Sequence, residues 1–363
     1  MPRIALVGTG LIGGSIGLAL GRAGVEVVGF DRDPARAARA RELGASSAVA
    51  STLAEAIVGV DAVVVAVPVS AVADLVIEAL SLGAPAVTDV GSVKAPIVAA
   101  VQAGCPTEAH RFVGGHPMAG SEQDDLDGAD PDLFAGAMWV LTPTEVTDPE
   151  AFATIRALVA RTDAEIVAIA PDHHDALVAV VSHVPQLAAT TLMDVAANSG
   201  EEHSTLLRLA AGGFRDMTRI AAGHPGIWPD ICVANREAIV AALDDYRAAL
   251  DNVRELVDTR DRDGLLALLE RARTARRSLP VGTTRSGESL VELRVPVPDR
   301  PGVLAEVTTL AGERGVNIAD LEIAHSMEGP EGVLVMIVSA VGVEAFEAGL
   351  VELGYHPSRS AIA

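Results

Sequence analysis

Residues 3–33 read RIALVGTGLIGGSIGLALGRAGVEVVGFDRD. A short apolar run, Ile4 to Val7, leads into Gly8-Thr9-Gly10-Leu11-Ile12-Gly13. Small and aliphatic residues follow at helical spacing, and a second apolar run, Val25 to Phe30, ends on Asp31. The order is strand, glycine turn, helix, strand, acid. In such a unit the first glycine permits the tight turn, the second lets backbone approach a pyrophosphate, and the third lets the helix sit close. The helix N-terminus then offers unpaired N–H groups and the positive end of its dipole to phosphates. Asp31 lies where an acid accepts hydrogen bonds from a ribose hydroxyl. The expected dinucleotide contacts are Gly8, Thr9, Gly10, Leu11, Ile12, Gly13 and Asp31, joined by Val67 and Pro68 at the end of another apolar run. Asp31 favours NAD⁺ over NADP⁺, because a carboxylate repels a 2′-phosphate; Arg32 and Arg36 pull the other way.

The chain has 363 residues, more than one compact core holds, so two or three domains are expected. Half its residues are hydrophobic but only 3% are aromatic, so its cores must be built from Ala, Val, Leu and Ile. A net charge of −22 opposes nucleic acid and anionic membrane surfaces, and any anionic ligand must be held by a few local cations. Cys105 and Cys232 are the only cysteines, too few for a disulfide framework or a thiolate metal site. With no signal-peptide pattern ahead of the first strand, a cytoplasmic location is expected. The apolar stretches Ala62–Val69 and Ala176–Val181 are too short to span a bilayer.

Outward from the first unit, apolar runs and helical patterns alternate through residue 168. Strands are expected at Ile4–Val7, Val25–Phe30, Ala62–Val67, Ala86–Asp89, Arg111–Gly114, Ala137–Leu141 and Glu165–Ile169, forming a parallel sheet with helices on both faces. Residues 169–279 carry long helical patterns, Asp172–Asn198, Ser204–Ala222, Pro229–Val257 and Asp263–Arg277, whose apolar faces call for a partner, most simply in a homodimer. Residues 280–289 lack periodicity and read as a linker. Residues 290–363 follow a strand-helix-strand-strand-helix-strand pattern, a small α+β ferredoxin-like unit.

Further segments carry candidate chemistry. Residues 88–94, TDVGSVK, end a strand where ligands of doubly wound sheets bind, and Ser92 there reaches a nicotinamide or substrate oxygen, or caps the next helix. In residues 114–122, GGHPMAGSE, two glycines clear space around the imidazole of His116, a candidate general base. Glu122 tunes that imidazole, binds a cation, or is solvated. His174 and Asp175, in the run Asp172-His173-His174-Asp175, are expected to cap a helix or face solvent. The spacing matches no zinc helix, and no metal is expected. His183 lies on an apolar face, as a satisfied core histidine or a substrate contact. Arg219 is the better carboxylate-binding arginine of residues 214–228, FRDMTRIAAGHPGIW, and Trp228 walls a ring-shaped substrate or simply packs.

GTGLIGGSIGLAL, DVGSVK, FVGGHPMAGSE, VVSHVPQLAA and FRDMTRIAAGHPGIW occur in this order, and together they resemble the prephenate/arogenate dehydrogenase family of tyrosine biosynthesis. The segment DRPGVLAEVTTLAGERGVNIADLEI, residues 299–323, resembles an ACT domain. The resemblance implies a Rossmann domain, an all-α dimerisation domain and a regulatory ACT domain. It implies NAD⁺-dependent oxidative decarboxylation, of prephenate or of arogenate. His116 then meets the substrate ring hydroxyl, and Ser92 lies beside it and the nicotinamide. Arg219 holds a carboxylate, His183 lines the pocket, and Glu122 is a pocket acid. For the C-terminal module it implies an amino-acid effector, tyrosine or phenylalanine, near Asp299, Gly302, Asn317 and Ile318.

Overall fold

The computed structural model describes residues 1–120, 125–198, 212–223, 225–278, 290–298, 300–325 and 331–361. They form two compact units, Met1–Glu255 and Leu256–Ala363. The change from alternating strands and helices to helices alone, at residue 168, falls inside the first unit.

The first unit is built on β1 (Arg3–Val7), α1 (Leu11–Arg22), β2 (Glu26–Phe30), α2 (Pro34–Glu42), β3 (Ala48–Val49), α3 (Leu53–Ala56), β4 (Ala62–Val65), α4 (Val69–Ser81), β5 (Val87–Asp89), α5 (Ala95–Gly104), β6 (Phe112–Pro117), β7 (Met138–Thr142), α6 (Pro149–Val159) and β8 (Glu165–Ala168). The sheet order is β3-β2-β1-β4-β5-β6-β7-β8. Every expected strand is present, and the two-residue edge strand β3 is added. The all-parallel expectation needs one correction: β7 runs antiparallel to β6, although β7 and β8 are parallel. Parallel neighbours require a long crossover, usually a helix. Between β6 and β7 the described residues hold only a short 3₁₀ turn, Leu126–Gly128. A second difference matters more for the site. The sixth strand extends to Pro117, so His116 lies within it and pairs with Val140.

One face of the sheet packs on Val72, Val76, Leu80, Ile97 and Val101, the other on Ile16, Leu20, Phe134, Trp139 and Ile155. Asp33 accepts a hydrogen bond from the Ala35 amide at the start of α2, with Pro34 at its first turn, as an N-cap and a preset φ dictate.

Beyond β8, α7 (Pro171–Val178) passes through a π turn, Ala179–His183, into α8 (Val184–Ala197). Pro185 has no N–H to give the Val181 carbonyl, so regular α bonding breaks in this turn. The short apolar stretch Ala176–Val181 lies within a continuous helix, Pro171–Ala197, 27 residues, which by length and composition alone is long and apolar enough to cross a membrane. Yet His174, Asp175, His183 and Gln186 within it are buried against protein. Of Ser204–Ala222, the described part is the helix Gly212–Thr218 and the turn Arg219–Ala222. The expected helix Pro229–Val257 breaks at Asn235 into Trp228–Ala234 and Arg236–Asp258.

The second unit contains the helix Arg262–Arg277 and a sheet of β9 (Leu290–Pro298), β10 (Ile318–His325), β11 (Glu331–Ser339) and β12 (Ser358–Ala361), in the order β10-β11-β9-β12, all antiparallel. Helices Val303–Glu313 and Val343–Glu352 cover it around Leu293, Val307, Met336, Phe346 and Leu350. This is the expected ferredoxin-like arrangement, its fourth strand the short Ser358–Ala361 beside β9. The linker 280–289 and Asp299 lie outside the described residues.

Close helix–strand packing rests on absent side chains. A Cβ on Gly17 in α1 would overlap the Ala45 carbonyl oxygen, a backbone atom that cannot step aside. Gly17→Ala is therefore expected to lower stability by about 1–3 kcal/mol, seen as a reduced urea midpoint with an unchanged slope; a wild-type midpoint would contradict this packing.

Candidate active site

At the carboxyl edge of the sheet a cleft of about 640 Å³ is lined by Gly8, Gly10, Phe30, Asp31, Arg32, Arg36, Val67, Pro68 and Asp125, among others. Gly8 has φ +90, so the turn after β1 excludes an ordinary side chain. A Cβ on Gly10 would meet no protein atom, which leaves the approach to the helix terminus open. Of the expected dinucleotide set, Gly8, Gly10, Asp31, Val67 and Pro68 line the cleft, and Thr9, Leu11, Ile12 and Gly13 do not. Thr9 is buried and acts on Asp31: its amide and its hydroxyl both donate to Oδ2, at 2.9 and 3.1 Å. The Asp33 amide donates to Oδ1 at 2.9 Å. The carboxylate is thus oriented at the end of β2 before any ribose arrives. The glycine turn, the oriented acid and the open helix terminus fit a dinucleotide.

Along the same edge, β5 and β6 bring Asp89 and His116 close. Lys94, the only lysine in the chain, is fully buried. Its ammonium pairs with Asp89 and donates to the Gly115 carbonyl at 2.7 Å. Asp89 also accepts from the amides of Gly91 and Gly115. Burial pulls the Lys94 ammonium below the usual lysine value, and Asp89 pulls it back. The expectation that Gly114 and Gly115 clear space for the imidazole is corrected. A Cβ on Gly114 would strike Thr142, and one on Gly115 would strike Asp89 and Thr88. The glycines make room for the packing beneath the ring.

His116 is half-buried, and its Nδ1 lies 2.8 Å from His174 Nε2. His174 Nδ1 lies 2.7 Å from Asp175 Oδ1. The two carboxylate oxygens accept the amides of Lys94 and Ala95, each at 2.8 Å. His174 and Asp175 are thus buried partners, not a cap on their own helix or solvated groups as expected from sequence. They reach across to the start of α5 because α7 lies over that edge. Burial, then the charge of Lys94, then His174 and His183, push the His116 pKa well below the ordinary histidine value.

Ser92 stands on the loop between β5 and α5. It does not cap α5, whose cap position is Lys94 and whose amides are taken by Asp175. His183, in the π turn, is 1% exposed. Asn235 Nδ2 donates to the Asp175 carbonyl at 2.9 Å and stands 3.2 Å from His183 Nδ1. With an amide donor on Nδ1, the His183 proton resides on Nε2. Trp228 meets this ring edge-on at 6.2 Å. Arg219 is exposed, at the first position of its turn. Glu122 lies outside the described residues. Asn235 went unnoticed in the sequence, although a poor helix former inside a long helical pattern was a signal.

Residues 16–168 match the family described as prephenate dehydrogenase, nucleotide-binding domain, residues 170–271 its dimerization domain, and residues 291–350 the ACT domain. The chain is 33% identical to a prephenate dehydrogenase of Bacillus subtilis over 91% of this chain and 90% of that one. Among solved structures, arogenate dehydrogenase of Synechocystis is 30% identical with a TM-score of 0.68, covering 76% of this chain and 98% of its own. Prephenate dehydrogenase of Aquifex aeolicus, in complex with hydroxyphenyl propionate and NAD⁺, is 28% identical with a TM-score of 0.70, over 76% and 97%. Fold and site define a dinucleotide-dependent dehydrogenase. The chain belongs to the prephenate dehydrogenase family, with a C-terminal ACT domain.

Burial pushes the His183 pKa down to about 4, against the pull of Asp175. Unfolded, the same ring titrates near 6.5. As pH falls the unfolded chain takes up the proton first. Stability present above about pH 6.5 is therefore lost toward about pH 4, by up to about 3 kcal/mol from this group. Urea melts across that range should show the loss, and His183→Asn should flatten it; an unchanged slope in the variant would assign the effect elsewhere.

Proposed function

We infer that this chain is an NAD⁺-dependent dehydrogenase that oxidatively decarboxylates prephenate to 4-hydroxyphenylpyruvate, in tyrosine biosynthesis. The observation that carries the reading is the His116 imidazole, held neutral at the carboxyl edge of the sheet by burial and by the Lys94 charge. A neutral ring is a base.

The substrate carries a hydroxyl at ring C4 and, across the ring, a quaternary carbon bearing a carboxylate. Bound NAD⁺ supplies the hydride acceptor, and Gly8, Gly10, Asp31, Val67 and Pro68 would hold it. His116 takes the hydroxyl proton as the C4–H bond breaks. The ring then expels carbon dioxide and becomes aromatic, which drives the reaction forward. Arg219 anchors a substrate carboxylate, and His183, with its proton on Nε2, donates to another substrate oxygen. Trp228 walls the ring and Ser92 keeps the hydroxyl in line with His116. Glu122 belongs to this pocket by resemblance. The protein supplies orientation and electrostatic placement.

The helical segment supports a homodimer. Val180, Val181, Val195, Met217 and Val233 stand exposed on it, apolar side chains that a second copy could cover. The cytoplasm suits Cys105 and Cys232, both free thiols.

NADH formation should be fastest, by kcat/KM, with prephenate and NAD⁺. Higher kcat/KM with arogenate would move the chain to arogenate dehydrogenase, and preference for NADP⁺ would overturn the role of Asp31. His116→Asn should retain NAD⁺ binding and lose on the order of a hundredfold in kcat, while Arg219→Ala should chiefly raise KM for the substrate.

The ACT domain senses tyrosine or phenylalanine in this reading. Gly302, with φ +93, precedes the helix Val303–Glu313, and Asn317 and Ile318 enter β10. Asp299 belongs to the same expected ligand loop. Asn317→Ala in the full chain should abolish the response of the rate to added tyrosine and phenylalanine while leaving basal kcat intact; an unaltered response would remove this loop from regulation.

A further inference from the structure

The function proposed above needs a base that is neutral and also carries its lone pair on the nitrogen facing the substrate. Free imidazole prefers its proton on Nε2, which would point the wrong nitrogen outward. The hydrogen-bond chain through His116, His174 and Asp175 decides the matter.

Asp175 is an acceptor only, so His174 Nδ1, 2.7 Å from Oδ1, must carry a proton. Where His174 carries that one proton, its Nε2 is an acceptor, and His116 Nδ1, 2.8 Å away, donates to it. The remaining His116 nitrogen, Nε2, is then left bare. Asp175 as fixed acceptor and a singly protonated His174 together set the proton positions. Asp175 is itself held rigidly: Lys94 and Ala95 donate their amides to its two oxygens, and Asn235 donates to its backbone carbonyl.

We propose that His174 and Asp175 are positioning residues that set the tautomer of His116, through the relay Asp175–His174–His116, so that Nε2 is the proton-accepting atom. This rests on the dehydrogenase reading for its chemistry and on geometry alone for the tautomer. When Nε2 accepts the hydroxyl proton, the Nδ1–H bond to His174 becomes charge-assisted and strengthens as positive charge develops. No proton need travel further, because Asp175 stabilises the pair without being protonated. The groups facing His116 are Lys94, next to β5 and paired with Asp89, His174 and Asp175 on α7, and His183 in the π turn. Among them only the relay contacts Nδ1.

Two measurements test the proposal on the full chain. Nitrogen-15 imidazole spectra of the wild-type protein without ligands, with the His116 signals assigned by their loss in His116→Asn, should show His116 protonated on Nδ1 and bare on Nε2. A proton on Nε2 overturns the relay whatever the reaction is. In turnover of prephenate with NAD⁺, His174→Phe should lower kcat by about 10²-fold, with both KM values within about twofold. His174→Gln, whose amide oxygen accepts from Nδ1, should recover part of the loss. Wild-type kcat in a folded His174→Phe overturns the positioning role. Should that variant not fold, the tautomer in the wild-type spectra decides. An inactive wild type with the expected tautomer would remove the dehydrogenase reading and leave the relay standing.

Discussion

One carboxylate ties the first unit together. Asp175 accepts the Lys94 and Ala95 amides where α5 begins, and with the same Oδ1 it meets His174. The first amides of a helix have no partner within it, so a buried helix start without an acceptor would be costly. Here the acceptor arrives from α7, some eighty residues along the chain. The carboxylate that docks the helical segment on the sheet therefore also meets the ring of His174, which in turn meets His116. Loss of the Asp175 carboxylate would leave the buried Lys94 and Ala95 amides and the buried His174 imidazole without their acceptor.

The electrostatics follow from what surrounds that junction. The chain carries a net charge of −22, and such a field would favour the protonated imidazole. The site counters it locally. Lys94 is sealed under His116 with Asp89 as counter-ion, and its charge opposes a second positive charge on the ring. Desolvation works in the same direction. Burial likewise pushes the His183 pKa down, to about 4. Burial first, and then a buried cation, keep the His116 pKa low inside so acidic a protein. The single lysine is that cation.

Much of this was legible in the sequence, and the reasons for the rest are physical. Strand, glycine turn and acid depend on local spacing, so β1, α1, β2 and the places of Gly8 and Asp31 beside the cleft could be read from one segment. His116 stood out through its flanking glycines, although those glycines serve Asp89 and Thr142. Contacts between distant segments left no local trace. The antiparallel β6–β7 pairing depends on which way a connection returns. His174 and Asp175 looked like solvated helix-start residues because the first turn of a helix usually is, and only the packing of α7 on α5 reverses that. Lys94 read as the end of a motif; its burial comes from strand order. The last strand, Ser358–Ala361, is four residues of weak pattern that become a strand only beside β9.

The π turn shows how local chemistry and long-range contact converge on the site. Pro185 denies the Val181 carbonyl its regular partner, and the helix widens over Ala179–His183. A regular α-helix advances about 100° per residue, so one extra residue in a turn rotates everything after it relative to everything before. His174 precedes the turn and His183 closes it, and both face inward, the first against His116 and the second against Asn235 and Trp228. Asn235 joins the two ends by donating to the Asp175 carbonyl and facing His183 Nδ1. A helix that aims two imidazoles into one site while leaving Val180 and Val181 exposed must combine a buried polar face with an apolar outer one. The irregular turn reconciles these demands, and a proline that breaks a helix rule is what makes the site geometry available.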